Sequence, residues 1–440
     1  MKKLISCSFV VEFILVINSV FAVEYDLDSY LKKVEQNNPD LSLAVKEIEA
    51  AEQTAVQARS LFFPRIAVQG GYNRNFIDQM QPTPVAADTG TGMLIYQDMD
   101  GNFDNEMSLS AGLSQTIFDA EALSNYRLAK KGEALQRQNF QAILVNLRGA
   151  AKKLYAQGQL AQRVVEIRRV SEDTSREIYQ SIERKFQAGM ATELDLLMAE
   201  VDWKTRVSQT TEAVKNAEIV LLALKQLAGI PPREVMVLTE IETPIGAVSG
   251  LPPFQTILSS RADYRALLLS RELADIQKSA ALTSFLPTVQ ASFSYAWGSM
   301  GNGGSIQDDG ADFKNMQLSL NVTIPLFAGG YRISRVRAAA IEQEKASIAL
   351  SKKQSDIEGE LLQLELRLKE AWNSIEAAML IVSAANRAVE LSRSSYANGL
   401  VTQLQIAEAV NRLDEANLAL QYAIFEYRSA CIDYELAGGL

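Results

Sequence analysis

The chain has 440 residues, of which 48% are hydrophobic, and its 43 basic and 53 acidic residues give a net charge of −10 at neutral pH. Nucleic-acid binding needs clustered basic residues that neutralise phosphates, and this chain is acidic with scattered positive charges. We therefore expect no nucleic-acid partner. The sequence contains no histidine, which is the commonest general base and metal ligand. We therefore expect no catalytic residues, no metal site and no cofactor.

Residues 1–22 have the pattern of a secretory signal peptide. Two lysines open the segment, a mostly apolar stretch follows, and Val20-Phe21-Ala22 fits a small-residue cleavage site. After its removal only Cys431 remains, so a disulfide within the mature chain is excluded. No later segment reaches the roughly 18 apolar residues of a membrane-spanning helix. We expect an exported protein without spanning helices.

The mature chain is a doubled unit. Residues 186–199, FQAGMATELDLLMA, recur as residues 396–409, YANGLVTQLQIAEA, after 210 positions (399 − 189 = 210). Such a repeat predicts that the fold contains the same structural unit twice. The segment 231–253 contains five prolines and is predicted to be a linker. We therefore predict structural repeats over 23–230 and 254–440.

Each repeat contains a helix, two strands, a long helix, a sharp turn and a second long helix, in that order. The first helix of each repeat is predicted over 31–59 and 255–284. The strands show alternating apolar and polar residues and are predicted over 66–76, 107–117, 289–297 and 316–324. The long, polar segments between paired strands are predicted to be surface loops.

Two interpretations of these strands compete, a half-buried soluble sheet and a transmembrane β-barrel. We favour the barrel, because strands of about 9–11 residues fit a bilayer crossing and the polar face is small and uncharged. Aromatic residues also cluster where strands meet helices, as at a membrane interface. Four strands cannot close a barrel, and an open edge in lipid leaves backbone groups unpaired. Two chains would share eight strands and three would share twelve, and the residues do not choose between these numbers.

The long helices have the period of a coiled coil. Between Gly330 and Tyr396 there is no proline, and apolar or small residues recur in steps of four and three, which favours left-handed supercoiling. About 66 residues at 1.5 Å each give a rod of ~100 Å. The equivalent line in the first repeat is interrupted by Arg168 and Glu172. A structural coiled coil without a lumen fits this periodicity as well as a tunnel wall does.

A glycine followed by a threonine marks the turn of each long hairpin. The glycine can take the left-handed conformation that ends a helix. Thr402 with Gln405 three residues later predicts a capping box for the next helix. Thr192 with Asp195 is predicted to be a weaker box, because Asp replaces Glu or Gln.

These features together resemble the TolC-like outer-membrane efflux family over nearly all of the mature chain. The resemblance is carried by ordered and duplicated motifs, namely residues 37–41 (NNPDL), Phe63-Pro64, Leu286-Pro287 and residues 324–330 (IPLFAGG). The chain departs from the family at Ala262, where many members have proline. Each motif is weak alone, and their order makes the combination specific.

The resemblance implies an α+β membrane protein that is a homotrimer. Each protomer would contribute four strands to a shared twelve-stranded outer-membrane β-barrel, continued by a long periplasmic α-helical coiled-coil barrel. The location would be the outer membrane, in contact with its lipid, with a large periplasmic portion. The function would be a passive exit duct for efflux or type I secretion, supplied by a periplasmic adaptor (membrane fusion) protein and an inner-membrane pump or ABC exporter.

The resemblance also assigns the two turns to the periplasmic tips of the tunnel. Residues expected to meet the adaptor are Gly189, Met190, Thr192, Gly399, Leu400 and Thr402. The positions that carry acidic constriction residues in the family are Gln405 and Glu408 here, so we expect a single Glu408 ring. Tyr396 matches a tyrosine that bonds a carboxylate at the position of Asp195. A partner arginine of the family is Val401 here, and we expect a less tightly locked gate.

Two other classes of protein compete with the channel. The first is a secreted coiled-coil scaffold or adhesin without a transport lumen. The second is an enzyme, which would need a nucleophile motif or a base that the residues do not supply.

Overall fold

A computed structural model of the chain describes residues 23–77, 80–100, 103–239, 252–302, 311–398 and 400–439. The predicted signal peptide, Gly399 and residues 240–251 of the predicted linker lie outside these ranges. The chain divides into two compact units. The strand unit comprises residues 46–138 and 266–352, and the helix unit comprises residues up to 45, 139–265 and 353–440.

The predicted helices and the four predicted strands occur in the predicted order. The strands are β1 (Val23–Tyr25), β2 (Arg65–Arg74), β3 (Met80–Ala87), β4 (Leu94–Asp100), β5 (Asn105–Phe118), β6 (Met236–Leu238), β7 (Thr288–Gly301) and β8 (Ala311–Thr323), of which β1, β3, β4 and β6 are additional to those predicted. The helices are α1 (Leu27–Asn37), α2 (Pro39–Ser60), α3 (Ala120–Gln187), α4 (Glu193–Leu227), α5 (Phe254–Ser260), α6 (Ala262–Thr283), α7 (Tyr331–Ala397) and α8 (Gln403–Gly438).

The main sheet of the strand unit is antiparallel, with the strand order β2-β5-β7-β8. Its register sets apolar residues beside apolar residues, as in the row Leu113, Phe293 and Leu318. The neighbouring row contains Ser292 and Ser319. One face is therefore apolar and the other small and polar, because side chains alternate along a strand. The apolar side chains of β8 are largely exposed in the single chain.

A break divides the first helix of each repeat, which we had predicted to be continuous. Asn38 is extended (ψ 126°), as expected of a residue before proline, and α2 begins at Pro39. In the second repeat Arg261 is extended in the same way (ψ 122°), although Ala262 follows it. The guanidinium of Arg261 bonds both carboxylate oxygens of Asp263, at 3.0 and 2.8 Å, which fixes this break without a proline.

Two short sheets were not predicted. β1 pairs in parallel with β6, and the hydroxyl of Tyr155 donates to the carbonyls of Tyr25 and Thr239 at 2.8 and 2.9 Å beside this pair. The second sheet is the hairpin of β3 and β4, in a segment that we predicted to be a surface loop. Pro82 and Pro84 in β3 concealed this strand, because proline demotes a strand prediction.

The long helices follow the predicted coiled-coil line. α3 has 68 residues and α7 has 67, so each is ~100 Å long at 1.5 Å per residue. Buried positions on the predicted line of α7 are Ile357, Ala371, Ile375, Ala378 and Val389. Among the described helices, none combines the length and the apolar character needed to cross a membrane.

Candidate functional site

The turn between α3 and α4, here called the first tip, is a glycine stop followed by a capped restart. Gly189 has φ +70°, and the amide of Met190 donates to the carbonyl of Lys185 at 2.8 Å, which satisfies an end carbonyl of α3. The side chain of Met190 is 74% exposed at the apex. The turn therefore presents an apolar side chain on a rigid backbone.

Thr192 caps α4 in the first tip. The Asp195 amide donates to the Thr192 hydroxyl oxygen at 3.1 Å, and the Asp195 carboxylate accepts from the Thr192 amide at 3.1 Å and from its hydroxyl at 2.7 Å. These hydrogen bonds hold the pKa of Asp195 below its ordinary value. The box that we predicted to be the weaker one is complete, because the shorter carboxylate still reaches both groups.

The turn between α7 and α8, here called the second tip, repeats this geometry. The Leu400 amide donates to the carbonyl of Ser395 at 2.9 Å, which is the bond made by Met190 one repeat earlier. Leu400 is 77% exposed. The amide of Thr402 donates to Oε1 of Gln405 at 2.8 Å, so a neutral acceptor caps α8. Gly399 lies outside the described residues.

The four residues expected at the gate do not all meet within the protomer. Among the described residues, the Tyr396 hydroxyl and the Asp195 carboxylate do not bond each other, since Asp195 is engaged by Thr192. Instead Nζ of Lys185 lies 4.1 Å from the centroid of the Tyr396 ring. This distance is within the range of a cation–π contact. Lys185 in α3 therefore links the first tip to the second.

The carboxylate of Glu408 has a basic neighbour that we had not predicted. Nη2 of Arg412 lies 2.5 Å from Oε1 of Glu408, and both side chains are exposed on α8. The spacing of four residues on a helix was a usable signal for this pair. Lys185 had no such signal, because its contact with Tyr396 depends on how α3 packs against α7.

The arrangement suits binding and passage of solute more than bond-breaking chemistry. Each tip has an exposed apolar side chain next to the N-cap residue of the following helix. The main sheet has one exposed apolar face. Within the described ranges the outer edges of β2 and β8 have no partner strand. A sheet of this kind, in a chain with helices of ~100 Å, defines the class of outer-membrane channel proteins.

Comparison with known proteins identifies the family. Residues 30–230 and 254–429 match a model of the outer membrane efflux protein family, and the chain belongs to that family. It is 24% identical over 435 residues to the alkaline protease secretion protein AprF of Pseudomonas aeruginosa, which covers 98% of this chain and 87% of that protein. It is 22% identical over 409 residues to the outer membrane protein TolC of Vibrio cholerae, which covers 91% and 88%.

The fold agrees with that of solved channels. The structure of the Campylobacter jejuni CmeC outer membrane channel matches with a TM-score of 0.73 at 21% identity, which covers 94% of this chain and 85% of that one. The resemblance stated from the motifs is therefore confirmed. So is the predicted location in the outer membrane, with a large periplasmic helical portion.

Proposed function

We propose that three copies of this chain form a passive exit duct through the outer membrane. The observation that carries the proposal is the four-stranded sheet, which is apolar on one exposed face and unpaired at its described edges. In lipid such edges must be paired, and three protomers would supply the twelve strands of a closed barrel. The small polar residues of the other face would then line the lumen. No catalytic step is assigned to the duct.

Each structural repeat, 23–230 and 254–440, would supply two strands to the barrel and one tip to the periplasmic mouth. The match of the family model in two separate segments supports this division. Six tips would ring the mouth of the trimer. Exposed apolar residues at the apex of each tip, Met190 and Leu400, would give a docking surface for a periplasmic adaptor protein, with Gly189, Thr192 and Thr402 in the turns. Gly399, which is expected at the same surface, lies outside the described residues.

The adaptor would connect the duct to an inner-membrane pump or ABC exporter. Relatives of this chain have names that indicate both kinds of cargo, alkaline protease secretion and pyoverdine export. Export of proteins or of small molecules is therefore the proposed range of the duct.

The proposed gate comprises Tyr396, Asp195, Gln405 and Glu408. Three copies would bring three Glu408 carboxylates together, each already paired with Arg412. Gln405 adds no charge, and the protomer contains no hydrogen bond from Tyr396 to Asp195 in its described part. These features support a mouth that is less tightly locked and only weakly selective for cations.

The duct is tested by reconstituting detergent-extracted protein into planar lipid bilayers. We expect a heat-modifiable trimer with stable conductance, and we expect Glu408→Gln to lower the preference for cations. Glu390→Gln is the matched control, since Glu390 is also paired with an arginine on an exposed helix face, on α7. A purely soluble periplasmic protein would support the scaffold or adhesin and contradict the duct. Unchanged ion selectivity of Glu408→Gln would contradict the Glu408 ring.

A further inference from the structure

A buried ionic cluster joins the α3–α4 hairpin to α8 in the helix unit. Asp414 of α8 is 6% exposed and Arg206 of α4 is 5% exposed. Nη1 of Arg206 lies 2.8 Å from Oδ2 of Asp414, and Nη1 of Arg168 in α3 lies 3.3 Å from the same oxygen. One carboxylate thus receives a hydrogen bond from each helix of the opposite hairpin.

Neighbouring polar groups complete the cluster. The Ser171 hydroxyl oxygen accepts from Nη1 of Arg206 at 3.1 Å, and Nε of Arg206 lies 3.6 Å from Oδ1 of Asp202. Ser175 donates to Oδ2 of Asp202 at 2.9 Å, and Thr210 donates to the carbonyl of Arg168 at 3.2 Å. Two carboxylates balance two guanidinium groups, so the cluster is neutral as a whole.

The two arginines of the cluster have no counterpart in the α7–α8 hairpin. At the spacing of 210 positions, Arg168 corresponds to Ala378 and Arg206 to Ala416, and both alanines are buried. The coiled-coil packing of these helices therefore does not require arginine. The interruption that Arg168 makes in the apolar line of α3 is explained by its contact with Asp414.

Burial of the cluster carries a desolvation cost. Burial raises the pKa of Asp414 above its ordinary value, so desolvation outweighs the hydrogen bond from Ser171 and the charges of Arg206 and Arg168. Buried ion pairs of this kind contribute little net stability, and some serve to fix one geometry among several. The cluster is suited to fixing the position of α8 along the axes of α3 and α4.

Apolar packing alone would not fix the register of these helices. Between the cluster and the tips, Ile178 of α3 packs against the apolar group formed by Val389, Ile406 and Val410. Apolar contacts of this kind are non-directional. A hydrogen bond at 2.8 Å is directional, and a slip of one helical turn, ~5 Å, would break it.

We propose that Asp414, held by Arg206 and Arg168, positions the two tips of a protomer relative to each other and so sets the resting width of the duct. Asp414 lies 12 residues after Thr402 (414 − 402), and Arg206 lies 14 residues after Thr192 (206 − 192). The cluster is therefore ~20 Å along the helices from the tips. This inference rests on the proposed duct, and it assigns a positioning role to residues outside the expected gate.

The experiment compares tip distances and conductance in the same variants. Spin labels are introduced through Met190→Cys and Leu400→Cys with Cys431→Ser, and pulsed electron paramagnetic resonance measures their separation in the full-length trimer. We expect Asp414→Asn to broaden the distance distribution or to shift it by up to ~5 Å, the rise of one turn. We also expect Asp414→Asn to have a larger mean conductance. Asp414→Glu, which keeps the carboxylate, should match wild type in both the label distance and the conductance.

A charge-free variant, Arg168→Met/Asp202→Asn/Arg206→Met/Asp414→Leu, covers the case in which Asp414→Asn fails to assemble. We expect it to form trimers with a broadened tip distance, while the exposed control Glu390→Gln matches wild type. Wild-type distances in both assembled variants would overturn the inference, as would failure of the charge-free variant to assemble. A wild-type protein that shows a narrow tip distance but no conductance would overturn the duct and leave the positioning role standing.

Discussion

The two long hairpins share one fold but differ in what fills their interior. The α7–α8 hairpin buries mainly apolar residues, among them Ile375, Ile406 and Val410. The middle of the α3–α4 hairpin buries Arg206, where the α7–α8 hairpin buries Ala416. The two hairpins therefore end in the same type of turn and differ in the ion pairs that join the interior of α3–α4 to α8.

The largest effect is expected where one charge is removed from the buried cluster. Arg206→Ala leaves Asp414 with Arg168 alone, and breaking a buried ion pair costs roughly 3–5 kcal/mol. Arg168→Ala should cost less, because Arg168 is more exposed and its bond to Asp414 is longer. Denaturant unfolding of the solubilised protein, followed by helix circular dichroism, checks the order. Equal losses in the two variants would show that the two arginines are interchangeable.

The second effect tests the apolar interior of the other hairpin. Ile375 is 1% exposed and packs against Ala371 and Tyr427. Ile375→Ala should therefore cost about 2–5 kcal/mol. Val165, the corresponding residue of α3, is only partly buried, and Val165→Ala should cost about 1 kcal/mol. A loss for Val165→Ala as large as that for Ile375→Ala would contradict the closer apolar packing of Ile375 compared with Val165.

Local patterns predicted most of the fold and part of the site. Alternation located the strands of the main sheet, and the 3.5-residue period located α3 and α7, because both signals depend only on neighbouring residues. The turn glycines and threonines located both tips for the same reason. Arg168 was recognised as an interruption, but its partner Asp414 is 246 residues away, and no local rule connects them. The contact of Lys185 with Tyr396 is of the same tertiary kind.

A smaller effect distinguishes the caps of the two tips. Thr192→Ala should cost about 1 kcal/mol. Thr402→Ala should cost less, because the Thr192 hydroxyl donates to the Asp195 carboxylate at 2.7 Å, whereas the Thr402 hydroxyl lies 3.4 Å from the neutral amide oxygen of Gln405. Amide hydrogen exchange at the start of α4 and of α8 reports the two caps separately. Faster exchange in α8 than in α4 after these substitutions would contradict the order.

The same comparison predicts a pH dependence for the first tip only. The pKa of Asp195 is lowered in the folded protein by its hydrogen bonds to Thr192. The stabilisation is therefore present above the ordinary pKa of an aspartate and is lost as the pH falls through the lowered value. Exchange at the start of α4, corrected for the intrinsic rate at each pH, should accelerate upon acidification in that range. The start of α8 should not respond in this way, because Gln405 does not titrate.

The smallest effect concerns the contact that joins the two tips. Lys185 lies over the ring of Tyr396, and such a contact is worth about 0.5–1 kcal/mol at an exposed site. If the ring holds the tips together, Tyr396→Phe should conduct like wild type, whereas Tyr396→Leu and Lys185→Gln should both conduct more in planar bilayers. If the hydroxyl acts instead, by bonding Asp195 in the assembled trimer, Tyr396→Phe should conduct as much as Tyr396→Leu. The phenylalanine variant therefore separates the contact seen in the protomer from the hydrogen bond that the family resemblance implies.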